Sequence, residues 1–327
     1  MKRLSREQLE RAQLGVYTAA LLAGAGMGTA LPSHSPLFAS LITPVLGALL
    51  YTTFLQIPFQ ALRRSVVNRR YLAATVTLNF AVVPSVVWLL ARFAPQDRAI
   101  AVGVALVLLT PCVDYVIVFT KLGGGDDRVV LASTPVLMLL QLSLLPFLLW
   151  VVLGDIGIEV VTAGPVLEAF VLLIVLPLGA AIATQRWATH SPRGRQWAAA
   201  LEWLPVPLLA LTLLTVAAAQ VPLLRGSLSV VAGVIPLYAA FIVIMGGLGR
   251  LGASLFGLTV REGRALIFSA VTRNSLVVLP LALALEAGYE LTPSVVVTQT
   301  LVELAGLLIL AQAVPRLMPA SARCERP

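Results

Sequence analysis

Three formal charges fall well inside apolar stretches of this 327-residue chain: Asp114, Arg273 and Glu303. A charge at mid-membrane depth costs at least about 2.5–3.5 kcal/mol on the insertion scale, so each marks a functional position by default. Around the first, the sequence reads Leu108-Leu-Thr-Pro-Cys-Val-Asp-Tyr115, which sets Thr110, Pro111, Cys112 and Asp114 within five consecutive residues. Pro111 removes a backbone donor and clashes with the preceding turn, so the helix breaks there. A broken helix in hydrocarbon survives only where protein or a water-filled cavity satisfies the freed carbonyls. Residues 110–114 are therefore expected to line a polar site inside a helical bundle.

Arg273 lies nine residues beyond Arg264, about 13 Å along its helix at about 1.5 Å per residue. It belongs to the cluster Thr272-Arg-Asn-Ser275, which with Pro280 forms a second interruption. Glu303 falls near the middle of the last apolar run. Two acids and one base leave one acid without a basic partner, which favours a group that titrates or binds a cation. The plainer alternative is a structural ion pair between Arg273 and either Asp114 or Glu303. A buried cysteine is ordinarily a small hydrophobe, but Cys112 sits beside a helix break and two residues from Asp114. Its thiol suits soft, thiophilic species better than hard cations. Asn274 and Ser275 would complete a substrate-binding set with Thr110 and Cys112, and Gln141 and Gln299 an ion-coupling set with Asp114, Arg273 and Glu303. Interhelical hydrogen bonding is the ordinary role of such glutamines and of Thr134 and Thr298. His34 and His190 sit in loops, and Cys112 and Cys324 form no CxxC pair or disulfide framework, so no metal site is expected. Neither a glycine-rich phosphate loop, a nucleophile elbow nor an HExxH occurs. No catalytic residue and no cofactor is expected, and energy would come from an ion gradient.

The elements that must position these residues are helices. The chain is 59% hydrophobic and 12% charged, with mean hydropathy +0.94, against roughly 25% charged in soluble domains. Ten apolar segments can be placed at about 13–31, 37–60, 71–92, 99–122, 129–153, 163–185, 198–220, 229–249, 265–285 and 293–315. The basic opening MKRLSREQLERAQ precedes an apolar run without the usual small-residue cleavage site, so that run reads as a retained helix. Its Ala23-Gly-Ala-Gly-Met-Gly28 face predicts close helix packing. Trp150, Trp187, Trp197 and Trp203, at segment ends, read as interfacial anchors.

The net charge of +8 is scattered among short loops, which argues for topology and against a nucleic-acid groove. With the N-terminus inside, outer loops hold only Arg92, Arg98 and Arg225, and Arg273 lies within segment nine. Every other basic residue falls on the inner side, as the positive-inside rule requires. Both termini are expected in the cytoplasm, in a plasma (inner) membrane. The chain divides into 1–185, a polar cytoplasmic linker 186–197, and 198–327, with the second repeat starting at segment six, about residue 163. Five segments followed by five, an odd number per half, insert the second half upside down, the inverted-repeat plan of secondary transporters. The fold expected is thus an all-α polytopic membrane protein of ten transmembrane helices in two inverted five-helix repeats. Helices four and nine would be broken and cross near the midplane.

Thr110-Pro-Cys-Val-Asp-Tyr-Val116, with the turn over Lys121–Asp126, resembles the Ala-Pro-Cys signature of the arsenite efflux permeases in the bile acid/sodium symporter superfamily. Thr272-Arg-Asn-Ser275 resembles that family's start of the ninth helix, and Leu301-Val-Glu-Leu304 its Leu-Val-Glu-Val stretch in the tenth. The resemblance implies a helix-four cysteine that meets trivalent arsenic, matched by Cys112, and a helix-nine acid that couples transport to protons. Where the family reads Asn-Phe-Glu-Leu, this chain reads Asn274-Ser-Leu-Val277, and Asp114 stands where the family is small and neutral. The expectation is a secondary transporter that exports arsenite or antimonite in exchange for protons, with coupling carried by Asp114. The alternative is sodium-coupled uptake of an organic anion, with Thr134, Gln141, Asn274, Gln299 and Glu303 as oxygen ligands and Arg273 attracting the anion. A channel or sensor without coupled flux is the third reading.

Overall fold

The computed structural model describes residues 6–56, 68–93, 95, 97–112, 115–162, 164–224, 228–285 and 288–319. These residues form helices α1 (Arg6–Ala30), α2 (Ser35–Gln56), α3 (Arg69–Ala91), α4 (Arg98–Leu108), α5 (Val116–Leu122), α6 (Asp127–Leu153) and α7 (Asp155–Thr162). Helix α8 runs from Gly164–Phe170 through a π turn at Val171–Val175 into Leu176–His190. There follow α9 (Pro192–Leu201), α10 (Pro205–Leu224), α11 (Leu228–Leu255), α12 (Val260–Val271), α13 (Ser275–Leu283) and α14 (Thr292–Leu317).

Six spans, Pro32–Gln56, Arg69–Ala91, Asp127–Leu153, Val166–His190, Ala232–Leu255 and Thr292–Leu317, are long and apolar enough to cross a membrane. The pair α9 and Pro205–Ala219, bent by 44°, would be a seventh. A chain with this many apolar helices is a multi-pass membrane protein. The polar stretch 186–197 is itself helical apart from the extended Ser191 (φ −141°, ψ 135°). Pro192 explains the joint: it disfavours helix in the residue before it and suits the first helical position after it.

The chain forms two compact units, each drawn from both halves of the sequence: Met1–Ile57 with Gly164–Leu228, and Pro58–Ala163 with Ser229–Pro327. In the first, α1 packs on α10, as the small-residue face predicts. A Cβ on Gly28 would lie 2.7 Å from the Ala218 carbonyl oxygen, and one on Gly24 2.9 Å from the Ala217 Cβ. Only residues without a side chain let these backbones approach so closely. The four tryptophans expected at segment ends are each about half exposed.

The second unit contains both helix breaks. Helix α12 packs on α3 and α5, while α14 packs on α13 and α4. Its helix starts are fixed by side-chain caps. Asp97 accepts from the Ala99 and Ile100 amides at 2.8 and 3.3 Å. Thr259 and Glu262 form a reciprocal capping box, in which the Thr259 amide donates to Glu262 Oε2 at 2.9 Å and the Glu262 amide to Thr259 Oγ1 at 3.3 Å. Asn68 caps α3 through the Tyr71 amide and donates to Glu262, so one carboxylate ties the starts of α3 and α12 together. The turn between α5 and α6 is held to the same end. Gly124 takes φ +65°, a conformation that favours glycine, and its carbonyl accepts from Arg264 Nη1 at 3.0 Å.

Glu262 precedes the apolar segment 265–285. Burial raises its carboxyl, but hydrogen bonds from Thr259 and Asn68 and the charge of Arg70 more than offset this and hold it below its ordinary 4.5. A folded value below the unfolded one contributes stability that is present above about pH 4.5 and lost as pH falls further. Thr259→Ala should cost about 1 kcal/mol. Glu262→Gln should abolish the part of the acid limb below pH 4.5 that this carboxylate supplies, both read as thermal unfolding of the detergent-solubilised protein between pH 3.5 and 7.

Candidate functional site

The chain unwinds twice in the second unit, between α4 and α5 and between α12 and α13, and the two unwound stretches meet. Pro111 and Arg273 face each other in an antiparallel β-bridge, the one isolated bridge among the described residues. The Cys112 amide donates to the Thr272 carbonyl at 3.2 Å, and the Asn274 amide donates to the Thr110 carbonyl at 2.8 Å. Each break therefore satisfies backbone groups that the other has lost, without water. Pro111 suits its place, because a residue between two such bonds has no acceptor across the bridge to donate to.

Arg273 is fully buried. Its guanidinium donates from Nη1 to the Leu108 carbonyl at 3.3 Å, at the end of α4. From Nη2 it reaches the Ser269 and Ala270 carbonyls at 2.9 and 2.7 Å, in the last turn of α12, and Asn79 Oδ1 at 2.8 Å. Asn79 is presented from a π turn at Leu78–Val82, just ahead of Pro84. The Asn79 amide in turn donates to the Thr75 carbonyl at 2.9 Å, and the Phe241 ring lies 5.4 Å from the guanidinium carbon.

Glu303, also fully buried, is held on its other side by donors. Oε1 accepts from the Tyr115 hydroxyl at 2.8 Å. Oε2 accepts from the main-chain N–H of Arg273 at 2.9 Å and from the Gln299 side-chain amide. The Tyr115 hydroxyl also stands 3.0 Å from the Arg273 carbonyl; with one proton, it serves one acceptor at a time. Glu303 thus bonds the backbone of Arg273, and among the described residues the two side chains make separate sets of hydrogen bonds.

The other expected site residues are placed as follows. Asn274 caps α13 by accepting from the Val277 amide at 3.3 Å, and Ser275 Oγ accepts from Thr300 at 2.8 Å. Thr110 turns its hydroxyl back on the Leu106 and Val107 carbonyls, as Thr134 does on Val130 and Thr298 on Ser294. Cys112 is buried at the bridge. Asp114 lies outside the described residues, as does Cys324. Pro280 lies inside α13, past the break expected there; the unwinding is made at Thr272–Asn274, where the bridge captures the backbone. His34 and His190 are exposed, and the described residues hold no cluster of histidine, cysteine or carboxylate suited to a metal.

Eight buried side-chain atoms among the described residues have no hydrogen-bond partner, and four of them, Gln141 Oε1, Arg273 Nε, Asn274 Nδ2 and Gln299 Oε1, belong to the expected site residues. Two of these residues belong to the second break, and Gln299 is one turn before Glu303. Leaving such an atom unsatisfied costs about 1–3 kcal/mol. Sequence reasoning passed over Tyr115 and Asn79, which hold Glu303 and Arg273. Their signals were a phenol next to the Pro111 break and an amide inside an apolar run ahead of a proline.

Paired helix breaks joined backbone to backbone, beside a buried arginine and a buried glutamate, define a multi-pass membrane protein of the transporter type. The Sodium Bile acid symporter family matches residues 43–227, more than half of the chain, and the chain belongs to that family. The match takes in the break at Pro111 and stops short of the one at Thr272–Asn274. No curated protein matches the chain.

Two substitutions separate the donors around Glu303. Tyr115→Phe, which removes one of three, should lower unfolding stability by about 1 kcal/mol, while Glu303→Ala, which orphans the Arg273 amide, should cost about 2–4 kcal/mol. Thermal unfolding in detergent measures both, and equal small losses would mean the carboxylate does not hold the crossing.

Proposed function

We propose that this chain is a secondary transporter whose substrate passes at the meeting point of the two breaks, and that it exports arsenite or antimonite in exchange for protons. The proposal includes the ten-segment, inverted-repeat arrangement in a plasma (inner) membrane with both termini cytoplasmic. One observation carries it: two unwound backbones bond to each other beside buried polar atoms that lack partners. A static core would satisfy those atoms; a carrier leaves them for its cargo. Cys112, at the bridge, would offer a thiol to a trivalent metalloid, loosely enough to release it. Thr110, Asn274 and Ser275 would border the path. Glu303 and Asp114 would take up and release protons as the site faces each side in turn, with Gln141 and Gln299 as polar neighbours.

Membership of the sodium bile acid symporter family favours a second reading, sodium-coupled uptake of an organic anion. Proteoliposome flux separates the two, with arsenite and taurocholate as cargo under imposed pH or sodium gradients. The expected result is arsenite movement that follows the pH gradient, falls at least about tenfold in Cys112→Ser, and falls again in Glu303→Gln and Asp114→Asn. Taurocholate accumulation driven by sodium and indifferent to Cys112→Ser would establish the second reading instead. Flux that ignores both gradients would make the chain a channel.

A further inference from the structure

The acceptors around Arg273 have a common origin. The Leu108 carbonyl ends α4, and the Ser269 and Ala270 carbonyls lie in the last turn of α12. Both helices therefore present their C-terminal ends, each equivalent to about half a negative charge, to the same point. A side-chain carbonyl from Asn79 adds a further neutral oxygen. Broken helices whose C-terminal ends and unwound carbonyls converge in this way are the usual coordination of a coupling cation in secondary transporters. Here the converging oxygens are hydrogen-bonded to a guanidinium that is fully buried and covalently part of the chain.

We propose that Arg273 is a tethered cation occupying the seat that a diffusible alkali cation would otherwise take at this crossing, and that the protein consequently binds no sodium there. This rests on the transporter reading only in treating the crossing as the place where ions are handled, and it is independent of which cargo is carried. The physical reasons are three. A guanidinium stays protonated throughout the physiological range, so the seat never becomes neutral. Its Nη1 and Nη2 groups already engage the oxygens that would replace a sodium ion's water. A second cation among the same oxygens would meet a full positive charge at a few ångströms with no solvent between. The Phe241 ring, at 5.4 Å, adds an attraction suited to a flat organic cation. Glu303 does not fill the role of counter-ion to a sodium at this seat, since its oxygens are turned to Tyr115, Gln299 and the Arg273 amide.

The test is sodium dependence of the purified protein, with no cargo present. Thermal unfolding of the wild type is compared in sodium chloride and in choline chloride at equal ionic strength, alongside equilibrium binding of radioactive sodium. The wild type should unfold at the same temperature in both salts and bind no sodium. Arg273→Ala, which empties the seat, should unfold lower in choline and recover by roughly 2–4 °C when sodium or methylguanidinium is added. Sodium that stabilises or binds to the wild type would overturn the proposal, and so would an Arg273→Ala variant indifferent to both cations. If Arg273→Ala does not fold, Arg273→Lys decides. A folded, sodium-indifferent Arg273→Lys supports the tethered cation, and a sodium response in it refutes it. Because cargo is absent, failure of arsenite flux leaves this result standing, and a sodium response here leaves the flux result standing.

Discussion

Two hydrogen bonds, Cys112 to Thr272 and Asn274 to Thr110, are the constraint on which the second unit depends. An unwound backbone inside an apolar bundle has lost its own acceptors and donors, and in hydrocarbon nothing else replaces them. A single break would therefore be destabilising by several kcal/mol, whereas two breaks placed against each other are mutually satisfied. This explains why the chain carries them as a pair and why they pair antiparallel. It also explains why Pro111, with no N–H to satisfy, stands opposite Arg273.

Breaking two helices also produces free helix ends, and their charges are sorted by sign. The C-terminal ends of α4 and α12 converge on the guanidinium of Arg273, while the amide that leads into α13 meets the carboxylate of Glu303. Cation at C-termini and anion at an N-terminus is the arrangement that helix dipoles favour. One residue thus contributes to both: Arg273 gives its side chain to one helix-end cluster and its main-chain N–H to the other. Tyr115, whose hydroxyl lies within reach of both Glu303 and the Arg273 carbonyl, links the start of α5 to the same point. Moving either side chain therefore disturbs the bridge itself.

Much of this was legible in the sequence. Pro111 announces its break because proline cannot continue a helix, and Arg273 and Glu303 stand out because charges in apolar runs are rare. Pro280 was misleading for the same reason that Pro111 was informative. A proline can sit inside a helix where the lost bond is tolerated, and at α13 the unwinding is fixed by a tertiary backbone contact that no local pattern encodes. Asn79 depends on a π turn, and its bond to Arg273 spans 194 residues, so an amide ahead of Pro84 marks the position without naming its partner. The membership of the compact units was hidden too. Helices that are apolar all round give no periodicity from which to choose their neighbours, and only the close approaches at Gly24 and Gly28 left a mark.

The two breaks lie backbone against backbone. In an antiparallel bridge at Pro111 and Arg273, Cys112 is the hydrogen-bonded partner of Thr272, a kind of pair whose Cα atoms lie about 5.5 Å apart, in the range that a disulfide spans. The direct measurement is oxidative cross-linking of the native Cys112 to an introduced Thr272→Cys, with Cys324→Ser to remove the competing thiol, read by intact-protein mass and peptide mapping. Breaks in this contact should give a rapid, near-quantitative intramolecular disulfide between these two positions and none when the second cysteine is moved to Pro280→Cys. Free thiols at both sites after exhaustive oxidation, in a protein that remains folded, would contradict it.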